Sequence, residues 1–79
     1  MTDIELEFVI GPFREGEPGE HVTAAIDAMT AAGLEVEMGA FATTVRGDVE
    51  VVAEAVRAMI VQAIMSGANR VNLHVQTPQ

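Results

Sequence analysis

The 79-residue chain contains no cysteine, no lysine, no tryptophan and no tyrosine, and each gap closes off a class of chemistry. Without cysteine there is no disulfide, no thiolate metal site, no cysteine nucleophile and no copper held on a CxxC pair. Two histidines, His21 and His74, stand far apart in the chain and supply a zinc site poorly. The aromatics are Phe8, Phe13 and Phe41 alone, so the core falls to Val, Ile, Leu, Met and Ala. No apolar run reaches transmembrane length, and Met1 leads into an acidic stretch rather than a basic, apolar leader. A cytoplasmic chain is expected.

The missing lysine skews the charge. Twelve acids face four arginines, for a net charge of −8. Such a surface repels phosphate backbones and anionic lipid, which argues against nucleic acid and membrane as partners. Neutral or cationic ligands suit it better, although acidic, lysine-poor surfaces also arise from GC-rich genomes or adaptation to salt. RNA-recognition domains need basic charge and exposed strand aromatics, and both are lacking. There is no Gly-rich phosphate loop, no Ser/His/Asp set and no carboxylate pair arranged around a water, so no resident cofactor and no enzymatic activity are expected.

What is present is a sharply punctuated pattern. Ile4-Glu5-Leu6-Glu7-Phe8-Val9-Ile10 opens with the apolar/acidic alternation of a half-buried strand, closed by Gly11-Pro12. Arg14 to Gly19 reads as a loop. Val22, Ala25, Ile26 and Met29 then fall at the spacing of an amphipathic helix, which Gly33 is suited to end in a left-handed conformation. Leu34, Val36 and Met38 alternate with Glu35 and Glu37 in a second strand. Gly39-Ala40 turns the chain into a third, Phe41 to Arg46. Asp48 is placed to cap a helix running from Val49 to about Ser66, with Glu50 near its positive end. Val52, Ala55, Val56, Met59 and Ala63 form the inner face of that helix, and Gly67 closes it. Val71, Leu73 and Val75 alternate with Asn72, His74 and Gln76 in a last strand.

The order β-α-β-β-α-β predicts one α+β domain over residues 1–79, of ferredoxin-like architecture. Two helices cover one face of a four-stranded antiparallel sheet. The opposite face then carries Glu5, Glu7, Val9, Glu35, Glu37, Ala42, Thr44, Arg46, Asn72, His74 and Gln76. Small domains bury little of their surface, and Val51, Ala58, Val61 and Met65 lie outside the inner stripe of the second helix. A homo-oligomer, dimer or tetramer, is expected.

The stretch Phe41-Ala42-Thr43-Thr44-Val45-Arg46-Gly47-Asp48, followed by a helix and the strand Val71 to Val75, resembles the YkoF-like and related thiamine-binding domains. Their Thr-x-x-(charged)-Gly turn is matched by Thr43, Arg46 and Gly47. Phe8-Val9-Ile10-Gly11-Pro12-Phe13 is similar to the family's aromatic-x-aliphatic-x-Pro-hydrophobic start. The resemblance implies non-catalytic binding of thiamine or its hydroxymethylpyrimidine moiety. It also implies that this single unit self-associates where YkoF-type chains carry two units in tandem.

An aminopyrimidine offers donor and acceptor groups on a flat apolar ring, so its site needs hydroxyl or amide groups and a covering apolar surface. Thr43 and Thr44 provide hydroxyls on opposite faces of a strand, with Thr43 toward the helices. Phe8, Phe13 and Met38 are candidates to cover the ring, and equally ordinary core residues. Arg46 is a donor to ligand or subunit, or an ion-pair partner of Glu37 across the hairpin; Asn72 and His74 sit on the open face. Two alternatives stand beside this reading. One is a regulatory or structural module of ACT type, which binds small effectors between paired domains. The other is an acylphosphatase-type hydrolase using Arg14 and Asn72, weakened by Glu15, Glu17 and Glu20 around Arg14 and by the amide-less Pro12 and Pro18.

Overall fold

The computed structural model describes residues 2–12, 19–39 and 42–77. They form β1 (Asp3–Gly11), α1 (Glu20–Ala31), β2 (Glu35–Met38), β3 (Thr43–Asp48), α2 (Val49–Met65) and β4 (Arg70–Gln76). Phe13, Arg14 and Phe41, all singled out from the sequence, lie outside the described residues. The four strands make one antiparallel sheet in the order β2-β3-β1-β4, the ferredoxin-like arrangement.

Strand β1 sits inside the sheet, paired on both edges. Its period-two alternation therefore decides which face of each neighbour is dry. Ile4, Leu6, Phe8 and Ile10 are buried beneath the helices. Through the register Leu6↔Val45 and Phe8↔Thr43, the odd residues of β3 join them. From above, α1 contributes Ala25 and Met29, and α2 contributes Val52, Ala55, Met59 and Ala63. Where the helices meet, small alanines let their backbones approach and the two long methionines fill the space between them and the sheet.

The helix ends follow local chemistry. Asp48 caps α2 by accepting from the Glu50 amide at 3.2 Å. Gly33 and Gly67 terminate their helices with φ of +83° and +110°, a region where a Cβ is strained. The Val49 amide donates to the Thr2 carbonyl at 2.7 Å, tying the start of α2 to the start of β1. No helix among the described residues is long and apolar enough to cross a membrane.

One sequence expectation changes. Val71, Leu73 and Val75 do lie on the helix-facing side of β4, opposite Ile10, Phe8 and Leu6. However, Leu73 remains 40% exposed and Val75 53%. The two helices pack over β1, β2 and β3, and the outer edge of β4 extends beyond them. Alternation identifies a face, but not whether anything covers it.

Leu6 is fully buried under both layers, whereas Met65 is 80% exposed. Leu6→Ala should lower unfolding free energy by about 2–5 kcal/mol through lost transfer energy and a residual cavity. Met65→Ala should stay within about 0.5 kcal/mol. Urea unfolding of the two variants checks the assignment of core and surface.

Candidate functional site on the open sheet face

The pairing register arranges the helix-free side of the sheet in rows running across the strands. One row is Glu35, Arg46, Glu5 and Gln76; the next is Glu37, Thr44, Glu7 and His74. A third brings Val9 beside Asn72. Glu5, Glu7, Glu35 and Glu37 thus share one face with the Arg46 guanidinium and the His74 imidazole, and Arg70, of the same parity on β4, lies over Gly11 at its end.

The first row is bonded across three strands. Arg46 Nε donates to Glu5 Oε2 at 2.7 Å, and Gln76 Nε2 donates to Glu5 Oε1 at 3.0 Å. His74 Nε2 lies 3.2 Å from Gln76 Oε1 and donates to it as the Nε2–H tautomer. Both oxygens of Glu5 are therefore committed. The Arg46 hydrogen bond, followed by that of Gln76, holds the Glu5 carboxyl below its ordinary value of 4.5. The same contact raises Arg46, which stays charged.

This pairing corrects the sequence expectation of an Arg46–Glu37 bridge. Arg46 stands opposite Glu35 on β2 and Glu5 on β1, while Glu37 stands opposite Thr44. The preference for Glu5 comes from long-range register, which periodicity within one hairpin does not contain.

Beside the network, a groove of about 590 Å³ lies over β2 and β3, lined by Gly33, Leu34, Glu35, Val36, Glu37, Thr44, Arg46 and Gly47. Gly47 follows Arg46 where the chain passes tightly over Leu34: an added Cβ would fall 2.6 Å from Leu34 Cδ2. A smaller recess of about 170 Å³ is lined by Glu7, Phe8, Val9, Ala42, Asn72, Leu73 and His74. Among the described residues, no group of three or more His, Asp or Glu side chains is placed to hold a metal ion.

The candidate residues read from the sequence divide between the two sides of the sheet. Thr44, Arg46, Asn72 and His74 occupy the open face. Phe8, Thr43 and Met38 form one row on the helix side, paired Phe8↔Thr43 and Met38↔Thr43. Phe8 and Thr43 are buried there, at 2% and 8% exposure, while Met38 is 60% exposed at the β2 edge. Phe13 lies outside the described residues. Glu5, Glu7, Glu35 and Glu37 complete the open face. Sequence reading placed these four on it without ranking them as site residues; their identical parity across neighbouring strands was the available signal.

Comparison with known proteins agrees with this architecture. Residues 6–77 match the family described as thiamine-binding protein. No curated protein matches the chain. A domain of unknown function, DUF77, from Bacillus cereus superposes with a TM-score of 0.71 at 22% identity, over 99% of this chain and 76% of that one. A Thermotoga maritima protein assigned provisionally to thiamine biosynthesis or salvage gives 0.71 at 20% identity, over 98% and 84%. A hypothetical protein from Methanocaldococcus jannascii gives 0.68 at 22% identity, over 100% and 81%. At these identities the structural likeness establishes the fold.

The Glu5 network makes stability depend on pH. Folding favours the ionised carboxylate, so its contribution is present above the ordinary glutamate range and fades as pH falls through the lower folded value. Thermal melts from neutral pH down to about pH 3 should show Glu5→Gln less stable than the parent near neutrality, with the two curves converging in acid. Parallel curves across the whole range would remove Glu5 as the titrating group.

Proposed function

This chain belongs to the thiamine-binding protein family, and on that premise we propose that it binds thiamine, or the hydroxymethylpyrimidine half of it, on the open sheet face without transforming it. One observation carries the reading: a groove of about 590 Å³ collects Glu35, Glu37, Thr44 and Arg46 on a chain of net charge −8. That volume falls within the roughly 300–1,000 Å³ typical of small-molecule sites.

The chemistry of the groove suits the ligand. Thiamine carries a permanent positive charge on its thiazolium ring, which carboxylates attract most strongly where water is partly excluded. The exocyclic amine of the pyrimidine donates hydrogen bonds, for which Glu35 and Glu37 are acceptors. Its ring nitrogens accept, for which the Thr44 hydroxyl is a donor. Arg46 spends its Nε–H on Glu5, leaving its terminal guanidinium N–H groups as further donors. Asn72 and His74 supply polar contacts at the smaller recess on the same face.

This arrangement recognises rather than reacts. The Arg46 guanidinium is held in its charged form by Glu5 and has no proton to release near neutral pH. Phe8 and Thr43 belong to the helix-side core in this reading, and Met38 to its rim. The acylphosphatase-type alternative needs Arg14, outside the described residues, together with an anion-attracting surface that this face opposes.

Calorimetric titration with thiamine and, separately, with neutral hydroxymethylpyrimidine tests the proposal. Glu37→Gln should weaken thiamine about tenfold, equivalent to about 1.4 kcal/mol, and leave the neutral pyrimidine less affected. Thr44→Val should weaken both by a similar factor through loss of one hydrogen bond. Thr43→Val, on the opposite side of the sheet, should leave both affinities within about twofold. Binding abolished by Thr43→Val and untouched by Thr44→Val would move the site beneath the helices. No heat with either compound would sink the assignment.

A further inference from the structure

Proteins hold phosphate groups with unspent arginine or lysine, with converging backbone amides, or with an open helix N-terminus. The groove over β2 and β3 meets these features only in a form already used. The guanidinium that lines it, Arg46, stands between Glu5 and Glu35 in its row and bonds Glu5 at 2.7 Å. Arg57 on α2 and Arg70 at the Gly11 end of β4 do not line it. The chain has no lysine to add.

Backbone polarity at the two ends of the groove has the same sense. At one end, Gly33 and Leu34 directly follow α1, whose negative carbonyl end carries no basic residue in its last turn. At the other, Gly47 leads through Asp48 into α2, whose positive amide end is the kind of place where an anion docks. This chain's own groups fill that place. The Val49 amide donates to the Thr2 carbonyl at 2.7 Å, and the Glu50 amide donates to the Asp48 carboxylate at 3.2 Å. Asp48 and Glu50 set carboxylates around the amides that a phosphate would need.

We infer that the groove takes the free alcohol form of its ligand and rejects the phosphate esters, with Glu35 and Glu37 as the residues that set the discrimination. The inference rests on the thiamine reading and adds to it the ionic form that is accepted. Thiamine and hydroxymethylpyrimidine each carry a primary alcohol. At neutral pH a phosphate on that alcohol brings a charge of about −1.5 to −2, which makes either compound a net anion. Size does not separate the two forms, because a groove of about 590 Å³ has room for the added group. The rejection is electrostatic: the ester oxygens would meet Glu35 and Glu37 with no unspent cation to offset them.

Parallel calorimetric titrations with thiamine, thiamine monophosphate, hydroxymethylpyrimidine and its phosphate test this. At low salt each alcohol should bind about tenfold or more tightly than its ester. The gap should narrow as salt rises from about 50 mM to about 500 mM. Glu37→Gln should weaken thiamine yet strengthen thiamine monophosphate by about threefold, opposite shifts that damage to the fold does not produce. Glu54→Gln removes the same charge from the exposed side of α2 and should leave the ratio within about twofold. Equal binding of alcohol and ester, or tighter binding of the ester, overturns the inference while the thiamine binder stands. So does a Glu37→Gln chain that loses both ligands in parallel, or a ratio that Glu54→Gln shifts as far as Glu37→Gln. Silence from all four compounds removes the thiamine reading and this inference together.

Discussion

The alternation along β1 is the constraint from which the rest of the molecule is built. This strand is paired on both edges, so its parity propagates through the register to β3, β2 and β4. With Ile4, Leu6, Phe8 and Ile10 committed to the core, Glu5 and Glu7 have to emerge on the other face. A slip of one residue would bury two carboxylates and expose four large apolar side chains. The energetic penalty for desolvating even one unpaired carboxylate exceeds what a domain of this size has to spare. The dry face and the acidic face therefore have one cause.

That coupling explains which parts of the structure were legible from sequence. Strand and helix order, the Asp48 cap and the glycines at 33 and 67 each depend on residues within a few positions of one another. The division into faces was also readable, because period two is a local property. What eluded local reading depends on pairing across the chain. Arg46 bonds Glu5, forty-one positions away, rather than a residue of its own hairpin. Leu73 and Val75 have the parity of core residues, yet their exposure is decided by where the helices end over the sheet. The opposite orientations of Thr43 and Thr44, by contrast, follow from adjacency in one strand and were readable, and the register sets Phe8 and Met38 in one row with Thr43.

Arg46 shows how a charged sheet face stays compatible with a stable fold. Glu5 lies in the central strand, flanked by β3 and β4, and without Arg46 and Gln76 its carboxylate would face Glu7 and Glu35 with water alone to screen them. Committing both of its oxygens leaves Glu7, Glu35 and Glu37 as the carboxylates with capacity to spare. The network engages one acid of the face and ties β3, β1 and β4 together along one row. Gly47 has a related role at the end of the same strand, since its missing Cβ lets β3 close over Leu34 at one wall of the groove.

Charge is distributed unevenly across the sheet as well as between its two faces. The strand order places β2 at one border and β4 at the other, with two strands between them. At about 4.8 Å per strand the carboxylates of β2 stand roughly 14 Å from β4. The screening length in physiological salt is about 8 Å, so the field of Glu35 and Glu37 is largely screened at β4. Negative charge on the sheet therefore concentrates toward β2 and β1, where its potential for a cation is strongest, and fades toward the acid-free β4.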